Sequence, residues 1–261
     1  MSTCIYWHRN DLRIHDNECL QKCVDGYDEV IPIYIVDPHH YRELDYGFRK
    51  AGILRYRYLR DTIADLRVNY QRLGANLIIR FGDTAEVMKK LLEDFNIDTI
   101  VYQKEVASEE VADEYAVSKV AASMEVAILQ IWGKTLYHLD DIPYDAETIP
   151  WTSKAFRINT SKATNPRSII ETPDKVTLTT DIDEGDMPTE EQIGYSTEEM
   201  KREHSPHPAG EGAALARLQH YTFDSELLTS YKWTRNRSLG MDYSSKLSPY
   251  LAVGSLSPRM I

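Results

Sequence analysis

The chain has 261 residues, of which 42% are hydrophobic and 27% are charged, a composition that excludes a wholly disordered protein. Its three cysteines are too few for a disulfide framework, and no apolar run approaches the roughly 20 residues of a membrane span. We therefore expect an intracellular protein from a reducing compartment. The net charge of −11 argues against a uniformly basic nucleic-acid binder.

The first half of the chain alternates between strand-like and helix-like patterns. Apolar residues at helical spacing, such as Leu59, Ile63 and Leu66, predict helices between the strands, and Asp83 opens a sequence typical of a helix cap. This alternation predicts a doubly wound, parallel α/β sheet over residues 1–132. Five β-branched or aromatic runs predict its buried strands: Thr3–Trp7, Val30–Val36, Asn76–Phe81, Thr99–Gln103 and Val126–Trp132.

The second half has a different organisation. Residues 133–208 lack periodicity, are rich in proline and include an acidic run at 181–186, so they predict an interdomain connector. Helical spacing returns from residue 209, where serine before proline, at Ser248 and Ser257, predicts helix N-caps. Since too few residues follow Ser257 for a helix to stand alone, we expect residues 209–261 to form only the first part of a helical domain.

A serine-rich stretch precedes the predicted helix at Pro249. Ser244, Ser245 and Ser248 with Lys246 offer hydroxyl groups and a positive charge beside free backbone N–H groups, a place that suits a dinucleotide pyrophosphate. A serine-rich turn that only caps the helix explains the same spacing, and the spacing alone favours it.

Two polar loops follow predicted strands, where doubly wound sheets bind ligands. In the first loop, Arg9 and Arg13 can pair with Asp11 and Asp16, and Asp16 can cap the next helix, so a structural network is favoured. After the fourth strand, Ser108 and acidic residues fit ordinary helix capping. A carboxylate there also suits a pterin-like ring, and the sequence leaves both interpretations open.

Two further residue pairs have simpler interpretations. Cys19 and Cys23 lie one helical turn apart, and we expect packed reduced thiols rather than metal ligands. His39 and His40 lie in a turn-like context, where we expect exposed side chains that bind no metal.

Two motifs resemble the cryptochrome/photolyase family. The run from Trp7 to Asn17 resembles W-x-R-x-D-L-R-x-x-D-N, and residues 231–259 resemble the DASH-type pattern Y-K-x-T-R-N-x-L-x-G-x-D-Y-S-[ST]-K-[LF]-[SA]-P-W-L-A-x-G-x-[LI]-S-P-R. Tyr250 stands where that pattern has Trp, and Ser255 where Cys is common. The resemblance implies an α/β antenna domain (1–132), a long connector (133–208) and the start of an all-helical FAD-binding domain (209–261).

The resemblance also implies an activity and its site residues. In the family, reduced FAD excited by blue light passes an electron to a cyclobutane pyrimidine dimer in DNA, and DASH members favour single-stranded DNA. The resemblance places no catalytic residue in this chain. We expect no membrane partner, and a monomer for the full-length form, while the oligomeric state of this chain stays open. By position it assigns Arg235 to DNA phosphate, and Ser108 and Glu109 to a methenyltetrahydrofolate antenna. It assigns FAD to Tyr231, Ser244, Ser245, Lys246, Leu247 and Ser248.

Three alternatives stay open at this point. The chain can be a non-catalytic antenna or partner-binding module, a blue-light photoreceptor without repair activity, or a fragment of a longer protein. The sequence does not distinguish repair from signalling, because the resemblance covers both.

Overall fold

The protein is built on one parallel β-sheet. The computed structural model describes residues 1–145, 147–237 and 240–261. The strand order is β3-β2-β1-β4-β5, and each strand bound lies within two residues of its predicted position, so the predicted five-stranded α/β sheet is confirmed. The strands are β1 (Thr3–His8), β2 (Glu29–Val36), β3 (Ile78–Phe81), β4 (Thr99–Gln103) and β5 (Ala127–Ile131).

Helices follow the strands and then dominate the last part of the chain. The α-helices are α1 (Glu18–Gly26), α2 (Ile53–Arg72), α3 (Thr84–Asp94), α4 (Ser108–Ser123), α5 (Ser153–Ala163), α6 (Glu190–Ile193), α7 (Thr197–Met200), α8 (Glu211–Gln219), α9 (Leu227–Thr234) and α10 (Ser248–Val253). A π-helical turn, His220–Asp224, extends α8, and 3-10 turns lie at Pro38–Tyr41, Leu139–Asp141 and Pro258–Met260. Among the described residues, no helix combines the length and apolar character of a membrane span.

Both faces of the sheet are covered by hydrophobic layers. In β1, Cys4 and Tyr6 belong to one layer, whereas Ile5 and Trp7 belong to the other, because successive strand residues point to opposite faces. Helices α1 and α2 pack in the first layer, and α3 and α4 pack in the second. Burial on both faces explains why the strand sequences are continuously apolar rather than alternating.

The cysteines belong to this core. Cys4, Cys19 and Cys23 are free and buried, which confirms the expectation of packed reduced thiols. Burial raises the pKa of the Cys23 thiol well above its ordinary value, so the thiol stays protonated.

The helix caps agree only in part with the predictions. Asp83 caps α3 through its side chain, as predicted. Ser257 also caps as predicted, accepting a hydrogen bond from the backbone of Arg259, although the helix that it starts is a single 3-10 turn. The prediction for Ser248 is wrong: α10 begins at Ser248 itself, after Leu247, without a side-chain cap.

The connector covers the open edge of β2 and β3. The Val30 amide donates to the carbonyl of Thr177 at 2.9 Å, and the Ile79 amide donates to the carbonyl of Glu184 at 2.8 Å. Arg67 of α2 also binds the Glu184 carbonyl, at 3.0 Å. The acidic run at 181–186 is therefore held by its backbone against a sheet edge that would otherwise have unpaired groups.

The end of α10 packs against the loop after β1. The Leu12 amide donates to the carbonyl of Val253 at 3.2 Å. The next residue, Gly254, has a φ of +71°, and a Cβ placed on it would lie 1.9 Å from the carbonyl oxygen of Asn10. Only glycine fits both the left-handed conformation and this backbone contact.

Gly254→Ala is therefore expected to lower the free energy of unfolding by at least about 2 kcal/mol, since the loop must move and the backbone is strained. The matched control is Gly212→Ala in α8, where a Cβ meets nothing within 4 Å. The control is expected to raise stability by roughly 0.5 kcal/mol because alanine is the better helix former. Urea unfolding measures both changes, and equal effects of the two substitutions would contradict this packing.

Candidate functional site

The loop after β1 joins three parts of the chain through one buried carboxylate. Asp16 accepts hydrogen bonds from Arg259 Nε and from the Ile170 amide, each at 2.9 Å, and from the hydroxyl of Ser257. Asp16 is fully buried and has a φ of +42°. The predicted capping role of Asp16 is wrong, because Asn17 caps α1 instead.

The two arginines of this loop also reach beyond it. Arg13 donates to the backbone carbonyl of Gly254 at 2.9 Å and to that of Asp16 at 3.1 Å. The guanidinium of Arg9 lies over the ring of Trp7 at 4.2 Å and contacts the carboxylate of Glu114 at 3.4 Å. The predicted pairing within the loop is therefore wrong for both arginines.

Asp11 organises the start of the loop from inside the core. Its carboxylate accepts hydrogen bonds from the Tyr6 hydroxyl at 2.6 Å and from the Arg9 amide at 2.8 Å, and it lies 3.4 Å from His8 Nδ1. The other nitrogen of His8 contacts the Tyr70 hydroxyl at 2.6 Å. Burial acts to raise the pKa of Asp11, but the contacts with His8, Tyr6 and Arg9 outweigh it and lower the pKa below its ordinary value.

A cavity of about 230 Å³ opens at the carboxyl ends of β1 and β2. Its wall includes the 3-10 turn at Pro38–Tyr41, the starts of α2, α3 and α4, and Val253 at the end of α10. Chain order reverses beside β1, since β2 lies on one side of it and β4 on the other. This is the place where doubly wound sheets bind ligands.

Paired charges line the mouth of this cavity. The Lys50 ammonium forms an ion pair with Glu109 and lies 3.2 Å from His40 Nδ1, while His40 Nε2 lies 3.0 Å from Asp113. The hydrogen bond from Lys50 lowers the pKa of Glu109 below its ordinary value. Glu109 is thus held as a carboxylate, and its side chain is 46% exposed. His39 is exposed as predicted, whereas the side chain of His40 is only 31% exposed because it lies between Lys50 and Asp113.

The same wall offers one set of metal-type ligands. Asp37, His40 and Asp113 have ligand atoms within 4.8 Å of one another. Asp37, however, already accepts two hydrogen bonds from Thr84, and the Lys50 ammonium contacts His40. Hydrogen-bond donors of the protein itself therefore already occupy Asp37 and His40.

Ser108 lies beside Glu109 but does not cap α4. The cap position belongs to Ala107, and Ser108 is the first, exposed residue of the helix. The acidic residues Glu109 and Glu110 in the first turn favour the positive end of the helix dipole. The interpretation of Ser108 as an N-cap is therefore wrong, whereas the acidic first turn is present as predicted.

The serine-rich segment folds around an arginine that sequence reasoning missed. Arg217 of α8 donates to the carbonyl of Ser245 at 2.8 Å, to that of Met241 at 2.7 Å and to that of Ser244 at 3.1 Å. In the described part of the chain, the segment is thus held through its carbonyl groups, which leaves the serine hydroxyls for other partners. Ser248 is exposed, whereas Leu247 is buried.

Tyr221 lies beside Tyr231 and beside Arg217, which holds the serine-rich segment. The Arg217 guanidinium lies 5.3 Å from the Tyr221 ring. Burial and the neighbouring Tyr231 raise the pKa of Tyr221, whose hydroxyl is buried and has no hydrogen-bond partner among the described residues. Arg235 is exposed directly after α9, and Leu239 of the motif lies outside the described residues.

Helix α8 is fixed to the α/β layer by Glu211. Its carboxylate accepts hydrogen bonds from the amides of Ile14 at 2.9 Å and His15 at 3.0 Å, and from Asn69 at 3.1 Å. Burial acts to raise the pKa of Glu211, but the hydrogen bond and charge of His15, with these amides, outweigh it and lower the pKa. The carboxylate therefore stays charged and ties α8 to both α2 and the loop after β1.

Comparison with known proteins shows which family the chain belongs to. Residues 4–174 match the family model described as DNA photolyase. The chain belongs to the cryptochrome/photolyase family. This confirms the resemblance seen in its two motifs.

The relatives show how much of the chain is shared. Cryptochrome DASH of Gloeobacter violaceus is 37% identical over 99% of this chain, and blue-light photoreceptor PHR2 of Arabidopsis thaliana is 35% identical over 98%. The match covers 52% of the first relative and 59% of the second, so the chain spans little more than half their length. The crystal structure of a Synechocystis sp. PCC6803 cryptochrome matches the whole chain and 54% of its own, with a TM-score of 0.91 and 32% identity.

Proposed function

We propose that this protein is a blue-light flavoprotein of the cryptochrome DASH type. One observation carries the proposal: the whole chain matches a cryptochrome structure at a TM-score of 0.91. The two motifs, moreover, pack against each other through Asp16 and Arg259, as parts of one functional unit. In this proposal, residues 1–132 form the antenna domain, 133–208 the connector, and 209–261 belong to the FAD-binding helical domain.

Tyr231 and the segment from Ser244 to Ser248 would hold FAD. The segment suits a diphosphate because its backbone carbonyls are already bound by Arg217, whereas the hydroxyls of Ser244 and Ser245 are free to donate. Lys246 adds a positive charge, and Leu247 anchors the segment in the core. When bound, FAD supplies the absorption of blue light and the electron transfer, while these residues bind and orient it.

Single-stranded DNA with cyclobutane pyrimidine dimers is the proposed substrate. Lys232, Arg235 and Arg237 are exposed in one short stretch around Trp233, whose side chain is 75% exposed. Basic residues beside an exposed aromatic ring suit the phosphates and bases of a single strand. A dimer in such a strand is cheap to extrude because no base pairing is lost. The net charge of −11 does not oppose this, since the positive charge is local.

A second candidate is a blue-light photoreceptor without repair activity. It is supported by the relative that carries the name of a photoreceptor and is 35% identical to this chain. Both candidates require flavin, and only the first requires the breakage of pyrimidine dimers.

The experiment starts with the chain purified from a flavin-replete host, whose absorption spectrum is recorded. Ultraviolet-treated oligothymidylate is then illuminated with blue light, and the recovery of thymine absorbance is followed. With the complete helical domain present, we expect bound FAD, and repair that needs light. Arg235→Glu is expected to reduce repair, whereas Arg157→Glu, the same charge change at an exposed residue of α5, is expected to leave it unchanged. Flavin without repair would favour the photoreceptor, and no flavin would contradict both candidates.

We further propose that Ser108 and Glu109 hold a methenyltetrahydrofolate antenna. Glu109 is charged, half-exposed and at the mouth of the cavity, so it can accept hydrogen bonds from the N–H groups of a pterin ring. The exposed Ser108 hydroxyl lies next to it in sequence and is not used as a helix cap.

Glu109→Gln is expected to lower the affinity for methenyltetrahydrofolate by about tenfold, because a charge-assisted hydrogen bond becomes a neutral one. Fluorescence titration of the purified protein measures this change. Glu93→Gln, an exposed residue of α3, is the matched control and is expected to bind folate like the original chain. Unchanged affinity in Glu109→Gln would exclude this residue from the antenna site.

A further inference from the structure

The hydrogen bonds of Arg217 define its role in the fold. Its guanidinium uses Nε and both terminal nitrogens on one short stretch of chain: three backbone carbonyls, and the Asp242 carboxylate at 3.2 Å. Its side chain is only 11% exposed. A planar fork of donors can hold several carbonyls at once, which a lysine ammonium on a flexible chain cannot reproduce.

These bonds stabilise an unfavourable backbone conformation. Lys246 directly follows the two carbonyls of Ser244 and Ser245 and has a φ of +56°. A residue other than glycine keeps this left-handed backbone conformation only where its surroundings impose it. Arg217 fixes the chain before Lys246, and the burial of Leu247 fixes it afterwards. Together they determine where the Ser244 and Ser245 hydroxyls and the Lys246 ammonium stand.

Arg217 is itself held by the rest of the fold. It packs over the ring of Tyr221, and its helix α8 begins at Glu211, whose amide donates to Asp65 of α2 at 2.8 Å. A continuous series of contacts therefore leads from the α/β layer to the serine-rich segment. The charge of Arg217 is opposed by Asp242, whose side chain is 57% exposed and thus well screened by water.

We infer that Arg217 is a positioning residue for the flavin diphosphate: it shapes the segment from Met241 to Lys246 before FAD arrives. The inference rests on the proposed function, since it assigns the diphosphate to this segment. Arg217 does not touch the ligand in this account, because its nitrogen atoms are directed to the chain itself. Its effect is the geometry that it imposes on Ser244, Ser245 and Lys246.

The test compares Arg217→Lys with the original chain for two probes, FAD and riboflavin, which lacks the diphosphate. Lysine keeps the charge but loses the fork, so we expect FAD affinity to fall about tenfold while riboflavin affinity changes little. Hydrogen exchange of the 241–248 amides, measured without any flavin, is expected to accelerate in the variant because the segment is no longer held.

The matched control is Arg67→Lys. Arg67 also binds backbone carbonyls, those of Leu77 and Glu184 at 3.0 Å and that of Gly185 at 2.7 Å, outside the serine-rich segment. We expect this control to lose a comparable amount of stability and to bind FAD as tightly as the original chain.

Each outcome decides between the two proposals. If the original chain binds no FAD, the proposed function is overturned and this inference with it. If the original chain binds FAD and Arg217→Lys binds it equally well, the inference alone is overturned. An equal loss for FAD and riboflavin, or the same loss in Arg67→Lys, also overturns it, because the effect would then not depend on the diphosphate or on this position.

Discussion

The buried carboxylate of Asp16 is the interaction on which the arrangement of the chain depends. A charge removed from water is costly unless several donors surround it, and Asp16 has such donors in Arg259, Ser257 and the Ile170 amide. These groups come from the last segment and from the connector, so the loop after β1 can take its observed form only when all three parts are assembled. The loss of Arg259 would leave the buried charge of Asp16 without its ion-pair partner.

One short helix links the candidate antenna and flavin sites. Helix α10 has its last residue, Val253, in the wall of the cavity and its first residue, Ser248, in the serine-rich segment. At 1.5 Å per residue, its six residues span about 9 Å. Gly254 lets the end of this helix approach the loop after β1, and Arg217 holds the chain before its start. Backbone contacts at both ends of α10 therefore fix its position between the two sites.

The strands and the Asp83 cap could be predicted from the sequence because they depend on local residue patterns. The roles of Asp16 and Arg217 could not, because they depend on contacts with residues that are distant in the chain. All five strands were predictable because burial on both faces leaves continuous apolar runs, and the Asp83 cap follows from its neighbours alone. The role of Asp16 was not predictable, since Arg259, its partner, lies 243 residues away and Asn17 offered an equally good cap. Arg217 was missed for the same reason: inside a helix it looks like any solvent-facing residue. The motifs located the serine-rich segment, but only the structure shows how it is held.

A double-mutant cycle on Asp16 and Arg259 tests this account most directly. Asp16→Asn, Arg259→Gln and the double variant are unfolded in urea beside the original chain. We predict that each single substitution lowers the free energy of unfolding by about 3–5 kcal/mol. We also predict that the double variant loses less than the sum of the singles, with a coupling energy of about 1–3 kcal/mol. Additive effects would show that the two residues stabilise the fold independently, and would contradict the claim that this pair joins the last segment to the sheet.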